Sequence, residues 1–169
     1  MRTEIQLAGF GGQGIVLSGL ILGEAAILDG LNAVQTQSYG PESRGGAARS
    51  DVIISNLPID YPKVVSPDVL VALSQPAYDK YHSLVGKKGL LIVDADLVEG
   101  DESALRVPFS KLADELGRRI VANVIMLGAL AKVSECVSRE SLERAVLRNI
   151  PKGTEELNLK ALAAGFGSS

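Results

Sequence analysis

Cysteine, histidine and tryptophan are nearly missing from this chain, with one Cys, one His and no Trp in 169 residues. A lone Cys136 cannot close an internal disulfide, and it cannot hold an iron–sulfur cluster or a zinc ion without help from another chain. It sits in Ser134-Glu135-Cys136-Val137 at an apparent helix end and reads as an inert packing residue. His82 has no companion with which to bind metal or activate a nucleophile, and it shares a helical segment with Tyr78 and Tyr81. Charge of one sign is not in excess either: 17 basic against 20 acidic residues leave a formal net charge of -3. That balance leaves no electrostatic footprint for nucleic acid. Long apolar runs are short of a membrane span. From Ile5 to Gln35 only Glu24 and Asp29 are charged, but an alternating segment and a glycine cluster interrupt the run, and no small-residue cleavage pattern follows. A cytoplasmic protein is expected, with no membrane contact. What remains is ordinary for an α/β protein: 46% apolar and 22% charged residues, in a length that suits one domain over 1–169.

The chain is organised around its first unit. Thr3 to Ala8 alternates polar and apolar, then Gly9-Phe10-Gly11-Gly12-Gln13-Gly14 supplies four glycines in six positions, then an apolar run extends from Ile15 to Leu28. The order reads as strand, tight turn, helix, the opening of a βαβ unit. Gly9 lets the chain turn sharply off the strand. Gly11, Gly12 and Gly14 leave backbone N–H groups at the helix start uncovered, and such a terminus attracts anions. Gly9, Gly11 and Gly14 also match G-x-G-x-x-G, but the acid expected at the end of the second strand of a dinucleotide site is missing. That strand ends in Gln35, Thr36 and Gln37, and Asp29 precedes it. Three readings stay open: glycines for close packing alone, ordinary NAD binding, or a turn that meets an anion or another subunit. The apolar helix has few polar positions, and Gly19 and Gly23 lie four apart on it. It is expected to be covered on two sides, by the sheet and by a further element or subunit.

Ser38-Tyr39-Gly40-Pro41-Glu42-Ser43-Arg44-Gly45-Gly46 has no periodicity and is full of turn formers, so it is a loop. With strands one and two as parallel neighbours, this loop leaves the same sheet edge as the glycine turn, the edge where open α/β sheets place ligands. Tyr39, Glu42 and Arg44, held between Pro41 and a glycine pair, form a set that a plain linker does not need.

These residues resemble the gamma subunit, or gamma domain, of the 2-oxoacid:ferredoxin oxidoreductases. The likeness rests on Gly9 to Gly14 and Gln37 to Gly46, and continues through Ile59-Asp60-Tyr61-Pro62, Pro67 to Ala72, Asn123 to Leu130 and Lys152 to Asn158. It is greatest to the 2-oxoglutarate members, with the branched-chain members close behind and pyruvate members less similar. The resemblance implies a multisubunit enzyme that decarboxylates a 2-oxoacid, passes electrons singly to ferredoxin and releases the acyl group on coenzyme A. Thiamine diphosphate with Mg, iron–sulfur clusters and coenzyme A would then sit on partner subunits or at an interface, none bound by this chain alone. The alpha and beta subunits, with a delta subunit where the complex has one, are the implied partners. By the same resemblance Gly9, Gly11, Gly12, Gln13 and Gly14 are candidates for an anion or partner contact. Ser38, Tyr39, Glu42, Ser43, Arg44, Gly45 and Gly46 form a subunit-interface or coenzyme-A-side loop. No catalytic residue is expected in this chain. Two rivals are a self-sufficient nucleotide-dependent oxidoreductase and a purely structural assembly module.

The remaining pattern predicts a single three-layer α/β/α domain with a mostly parallel, mixed sheet and a helical C-terminal part. Only nine residues, Ser38 to Gly46, precede the next strand, Ala47 to Ser55; a parallel crossover takes a dozen or more, so this strand should run antiparallel. Ile59-Asp60 reads as a short strand, Asp68 to Leu73 as a buried central one, and Leu90 to Val93 as another, followed by Asp94 and Asp96. These two acids are expected to cap the following turn. Ser74 and Pro76 mark the start of a helix running to about Val85. Gly86-Lys87-Lys88-Gly89 is a solvated tip, and Leu105 to Pro108 an edge strand. Helices are expected over 111–116, 121–133, 139–148 and 155–164, with Ser110, Ser138 and Thr154 as caps and Gly165 as the last stop.

Overall fold

The computed structural model describes residues 1–38 and 47–168. Its sheet has six strands in the order β2-β3-β1-β4-β5-β6: β1 (Arg2–Gly9), β2 (Asn32–Gln37), β3 (Ala48–Ser55), β4 (Val69–Ala72), β5 (Leu90–Asp94) and β6 (Leu105–Val107). β1, β4, β5 and β6 run parallel, and β3 lies antiparallel between β1 and β2. The antiparallel third strand and the edge position of β6 are as the sequence predicts. Strands one and two are not neighbours, however. β3 occupies the place between them, since a short return can only be made antiparallel.

Side chains alternate across this sheet and build two cores. Ile5, Leu7, Val52, Ile54, Val69, Val71 and Ile92 face one side. There they meet α1 (Ile15–Leu28), α3 (Phe109–Glu115), α4 (Ala122–Ser134), α5 (Arg139–Arg148) and α6 (Glu155–Gly167). Ala8, Leu70, Ala72, Leu91 and Val93 face the other side, against Ala77, Tyr78 and Tyr81 of α2 (Gln75–Tyr81). The expected α/β/α layering is therefore present, with the C-terminal helices on one face. α4 is buried all round from Asn123 to Ala131, because the sheet lies on one side of it and other helices on the rest. α1 is covered by the sheet and by α5, where Glu24 accepts from Arg148 Nη1 (3.1 Å) and Asn149 Nδ2 (2.6 Å).

Several boundaries move for local reasons. α2 stops at Tyr81 and continues only as a 3-10 turn, His82–Leu84. Ile59-Asp60 is not a strand; Pro58 and Pro62 on either side of it limit ladder bonding. Ser74 caps α2 through Ala77 N–H (3.3 Å), and Ser138 caps α5 through Ser141 N–H (3.2 Å). Ser110 instead lies inside α3 and donates to Asp94 Oδ2 (2.8 Å). Thr154 holds the N-cap position of α6, but its hydroxyl donates to Pro151 O (2.6 Å) rather than accepting from the helix. Gly165 is not a stop. It lies within α6, which runs on to Gly167.

The junction of α1 and α5 turns on one acid. Asp29 accepts from Ser138 N–H, Ser138 Oγ and Ser141 Oγ, each at 2.6 Å. Burial alone raises this carboxyl, but those hydrogen bonds outweigh it and hold Asp29 below the ordinary aspartate range. A depressed folded-state pKa means that its contribution is present above the unfolded value of about 4 and fades as pH falls through the folded one. Asp29→Ala should cost about 1 kcal/mol at neutral pH, after discounting charge-assisted bonds for exposure. Urea melts of both proteins should converge below about pH 4; a gap that stays constant with pH would show that the ionised form is not what matters.

Candidate functional site

The carboxyl ends of β1, β4 and β5 open onto one cleft. The chain leaves β1 for α1 on one face and leaves β4 for α2 on the other. The two adjacent parallel strands thus diverge, which is the switch point where open sheets form a crevice. A cavity of about 370 Å³ lies there, walled by Gly11, Gly12, Gln13, Leu73, Asp94 and Arg119.

Gln13 holds the glycine turn in shape. Its Oε1 accepts from Phe10 N–H (2.6 Å) and its Nε2 donates to Leu73 O (3.1 Å), fastening the turn to the end of β4. A Cβ on Gly9 would collide with that Oε1, so a side chain at position 9 would displace the glutamine that fastens the turn. Gly11 and Gly12 are exposed, and a Cβ on either would meet nothing within 4 Å among the described residues. Gly12 has φ +89° and Gly14 φ +73°, both in the left-handed region that glycine occupies without strain. Gly14 is the N-cap of α1, without a side-chain cap and without an acid in the first turn. Its carbonyl accepts from Ser18 N–H (2.9 Å) and Ser18 Oγ (2.7 Å). The backbone N–H groups ahead of Ser18 in the first turn receive no side-chain cap, and the turn leading into this positive helix end, Gly11 to Gln13, lines the cleft.

The acids of the cleft are structural. Asp94 is buried and accepts from Asp96 N–H (3.0 Å), Ser110 N–H (3.0 Å) and Ser110 Oγ (2.8 Å). With those bonds made it stitches β5 to α3. Arg119 on the rim pairs with Asp114. Among the described residues no three His, Cys, Asp or Glu side chains gather as a metal site. Cys136 is buried, and burial pushes its thiol above the usual range, so it is a poor nucleophile. His82 stacks on Tyr78 at 4.5 Å between ring centroids, with Nδ1 2.7 Å from Tyr78 O.

Ser38 is buried at the carboxyl end of β2, and its N–H donates to Arg49 O (3.0 Å). At the far end of the loop, Ala48 is the register partner of Gly9. Both ends of the loop therefore lie at the same sheet edge as the glycine turn, with β3 between, and Ser38 shares that edge with Gly9, Gly11, Gly12, Gln13 and Gly14. Tyr39, Glu42, Ser43, Arg44, Gly45 and Gly46 lie outside the described residues.

Two side chains near this edge escaped the sequence reading. Asn123, at the start of α4, packs against Gly14, where a Cβ would come within 2.5 Å of its Nδ2. The only signal was one amide in an apolar helix start. Arg49 lies 5.6 Å from the Tyr81 ring and 3.4 Å from Asp51 Oδ2. Asp51 also accepts from Gln6 Nε2 (3.1 Å); burial raises its carboxyl above the usual range, against the pull of Gln6 and Arg49. In the sequence these polar residues look like the solvated side of half-buried strands.

Residues 4–168 match the family described as pyruvate ferredoxin/flavodoxin oxidoreductase. The chain belongs to that family. It is 55% identical over 174 residues to a 2-oxoglutarate synthase subunit KorC of Methanocaldococcus jannaschii, covering 98% of this chain and 93% of the relative. Among solved structures it is similar to the keto/oxoacid ferredoxin oxidoreductase gamma subunit of Geobacter sulfurreducens. That similarity has a TM-score of 0.90 and 44% identity, over 99% of this chain and 96% of the other. The same fold recurs in the 2-oxoglutarate:ferredoxin oxidoreductase of Magnetococcus marinus, solved with 2-oxoglutarate, coenzyme A and succinyl-CoA bound. There the TM-score is 0.89 at 24% identity, covering 98% of this chain and 30% of that one. The resemblance carried by the glycine turn and the Gln37–Gly46 motif thus extends over the whole fold. No helix among the described residues is long and apolar enough to cross a membrane.

Proposed function

We propose that this chain is the gamma subunit of a 2-oxoglutarate:ferredoxin oxidoreductase, acting in the cytoplasm as one gamma-type domain. The complex would convert a 2-oxoacid and coenzyme A to acyl-CoA and carbon dioxide, with two electrons leaving singly to ferredoxin. Thiamine diphosphate with Mg and the iron–sulfur clusters belong to the alpha, beta and, where present, delta partners, since one buried cysteine cannot ligate a cluster. This chain supplies shape and charge. The bare turn at Gly11 and Gly12 and the N-terminus of α1 together make an electropositive seat, with the Arg119–Asp114 pair on its rim. It suits a coenzyme A phosphate or a partner carboxylate. Arg44, in the loop whose two ends lie at this edge, carries a planar fork of donors that suits the same anions.

The observation that supports this reading is the bare glycine turn at the switch point, in a chain whose similarity to KorC runs nearly end to end. Reconstitution tests it. Co-expressed partners should assemble with this chain and reduce a viologen acceptor with 2-oxoglutarate and coenzyme A. Omitting the chain should abolish that turnover, and the chain alone should have none. Arg44→Ala should leave the fold intact and lower coenzyme-A-dependent turnover about tenfold, as losing one charge-assisted bond predicts. Oxidation of another 2-oxoacid in preference would overturn the substrate assignment, and wild-type rates for Arg44→Ala would remove the loop from the site.

A further inference from the structure

We propose that two copies of this chain associate through the open edge of β2 and the outer flank of α1, about a two-fold axis at Val34. β2 ends the sheet, and among the described residues no strand pairs with its outer side. The bond from Ser38 N–H to Arg49 O fixes the phase of the β2–β3 ladder. Bonded residues alternate along an antiparallel pair, so Val34 and Thr36 turn their backbone groups to β3, while Ala33 and Gln35 turn theirs outward. The strand, Asn32-Ala33-Val34-Gln35-Thr36-Gln37, contains no charge and no proline, the residues that normally blunt an edge.

Above this edge α1 leaves an apolar flank. Leu20 and Ile27 are 48% and 56% exposed. They border a groove of about 360 Å³ whose floor is Ala33 and Gln35 and whose wall is broken by Gly19 and Gly23. An axis through Val34, perpendicular to the sheet, sets Ala33 opposite Gln35 of the second copy and exchanges their outward N–H and C=O groups. The same rotation keeps both α1 helices on one face, running antiparallel, and points Leu20 and Ile27 of each copy at the groove of the other. One operation therefore satisfies the strand edge and the apolar flank together, as an isologous interface requires. Charge permits it. Glu24, the charged residue of the groove, is already held by Arg148 and Asn149 of its own chain, so no like charges meet unscreened across the axis. Any other occupant must bring an unpaired strand and an apolar helix flank at matching offset, and a second copy has both. The carboxyl edge with the glycine turn stays open, so this pairing does not depend on the proposed function.

Sedimentation of the full chain at micromolar concentration should give twice the monomer mass. Leu20→Glu with Ile27→Glu changes only exposed positions, so circular dichroism and melting should be unchanged while the mass falls to that of a monomer. Hydrogen exchange should show the Ala33 and Gln35 amides protected in the wild-type dimer and exchanging in the variant, with Val34 protected in both. A monomeric wild type would overturn the proposal, as would a dimer that survives the double variant. It also fails if the two amides become protected only when other subunits are added, because the edge then belongs to one of them.

Discussion

Gly165→Ala should unfold this protein at a temperature roughly 10 °C below the wild type. Helix propensity argues the other way, since alanine inside a helix is favoured over glycine by about 1 kcal/mol. The position decides. A Cβ on Gly165 would collide with Ile125 O and stand 3.0 Å from Ala129 N, and a Cβ on Gly128 would stand 2.5 Å from Leu162 O. These are backbone atoms of α4 and α6, which cannot turn aside as a side chain can, so the two helices must separate. α4 is the buried middle of its layer, with Ile125, Met126 and Leu127 fully covered, and separation loosens contacts on every side. Overpacking of this kind costs about 3 kcal/mol or more, which for a chain of this size is the melting shift stated. Gly167→Ala is the control. It lies in the same helix and meets nothing within 4 Å, so it should be neutral or slightly stabilising. Equal behaviour of the two variants would mean that the close approach of α4 and α6 is wrong.

Gly165 also marks where sequence reading stops. A glycine near the end of a helical pattern is read as a stop, because local rules know only the chain on either side. Its actual reason is another helix, reached from residues some forty positions earlier. The same limit explains Ser110, which looks like a cap and is a donor to Asp94 at the end of β5. Where the cause is local, the reading holds. Ser74 and Ser138 cap as expected, nine loop residues force β3 antiparallel, and α5 spans Arg139–Arg148 as its amphipathic period predicts. At the candidate site the glycines were legible because they adjoin in sequence, but their separate duties were not. Gly9 makes room for the amide of Gln13, Gly14 makes room for Asn123, and Gly11 with Gly12 makes room for nothing among the described residues. Only tertiary placement divides one motif into packing glycines and bare ones. Arg49, Asp51 and Gln6 were invisible for a related reason. Polar residues alternating along a strand imply solvent, and here Gln6 and Asp51 are buried.

That division of labour yields the second large effect. Gly14→Ala meets two penalties: a left-handed backbone, which costs a side chain about 1–2 kcal/mol, and the Asn123 amide 2.5 Å from the new methyl. Together they should remove about 2–3 kcal/mol of stability. Adding Asn123→Ala should return the steric part and leave the backbone part, a coupling that a double-mutant cycle reads directly. Gly11→Ala meets neither penalty, since its φ is not in the left-handed region and no described residue lies within 4 Å of its Cβ position. Its melting temperature should therefore match the wild type. If the bare turn seats an anionic group in the assembled enzyme, that methyl stands where the ligand must approach. KM for coenzyme A, or affinity for the partner subunits, should then weaken about tenfold or more while the fold is untouched. Gly14→Ala lowers stability and turnover together, whereas Gly11→Ala separates them. A Gly11→Ala chain that assembles and turns over at wild-type rates would show that nothing docks on the open part of the turn, and the seat for the anion would have to be sought elsewhere along the same edge.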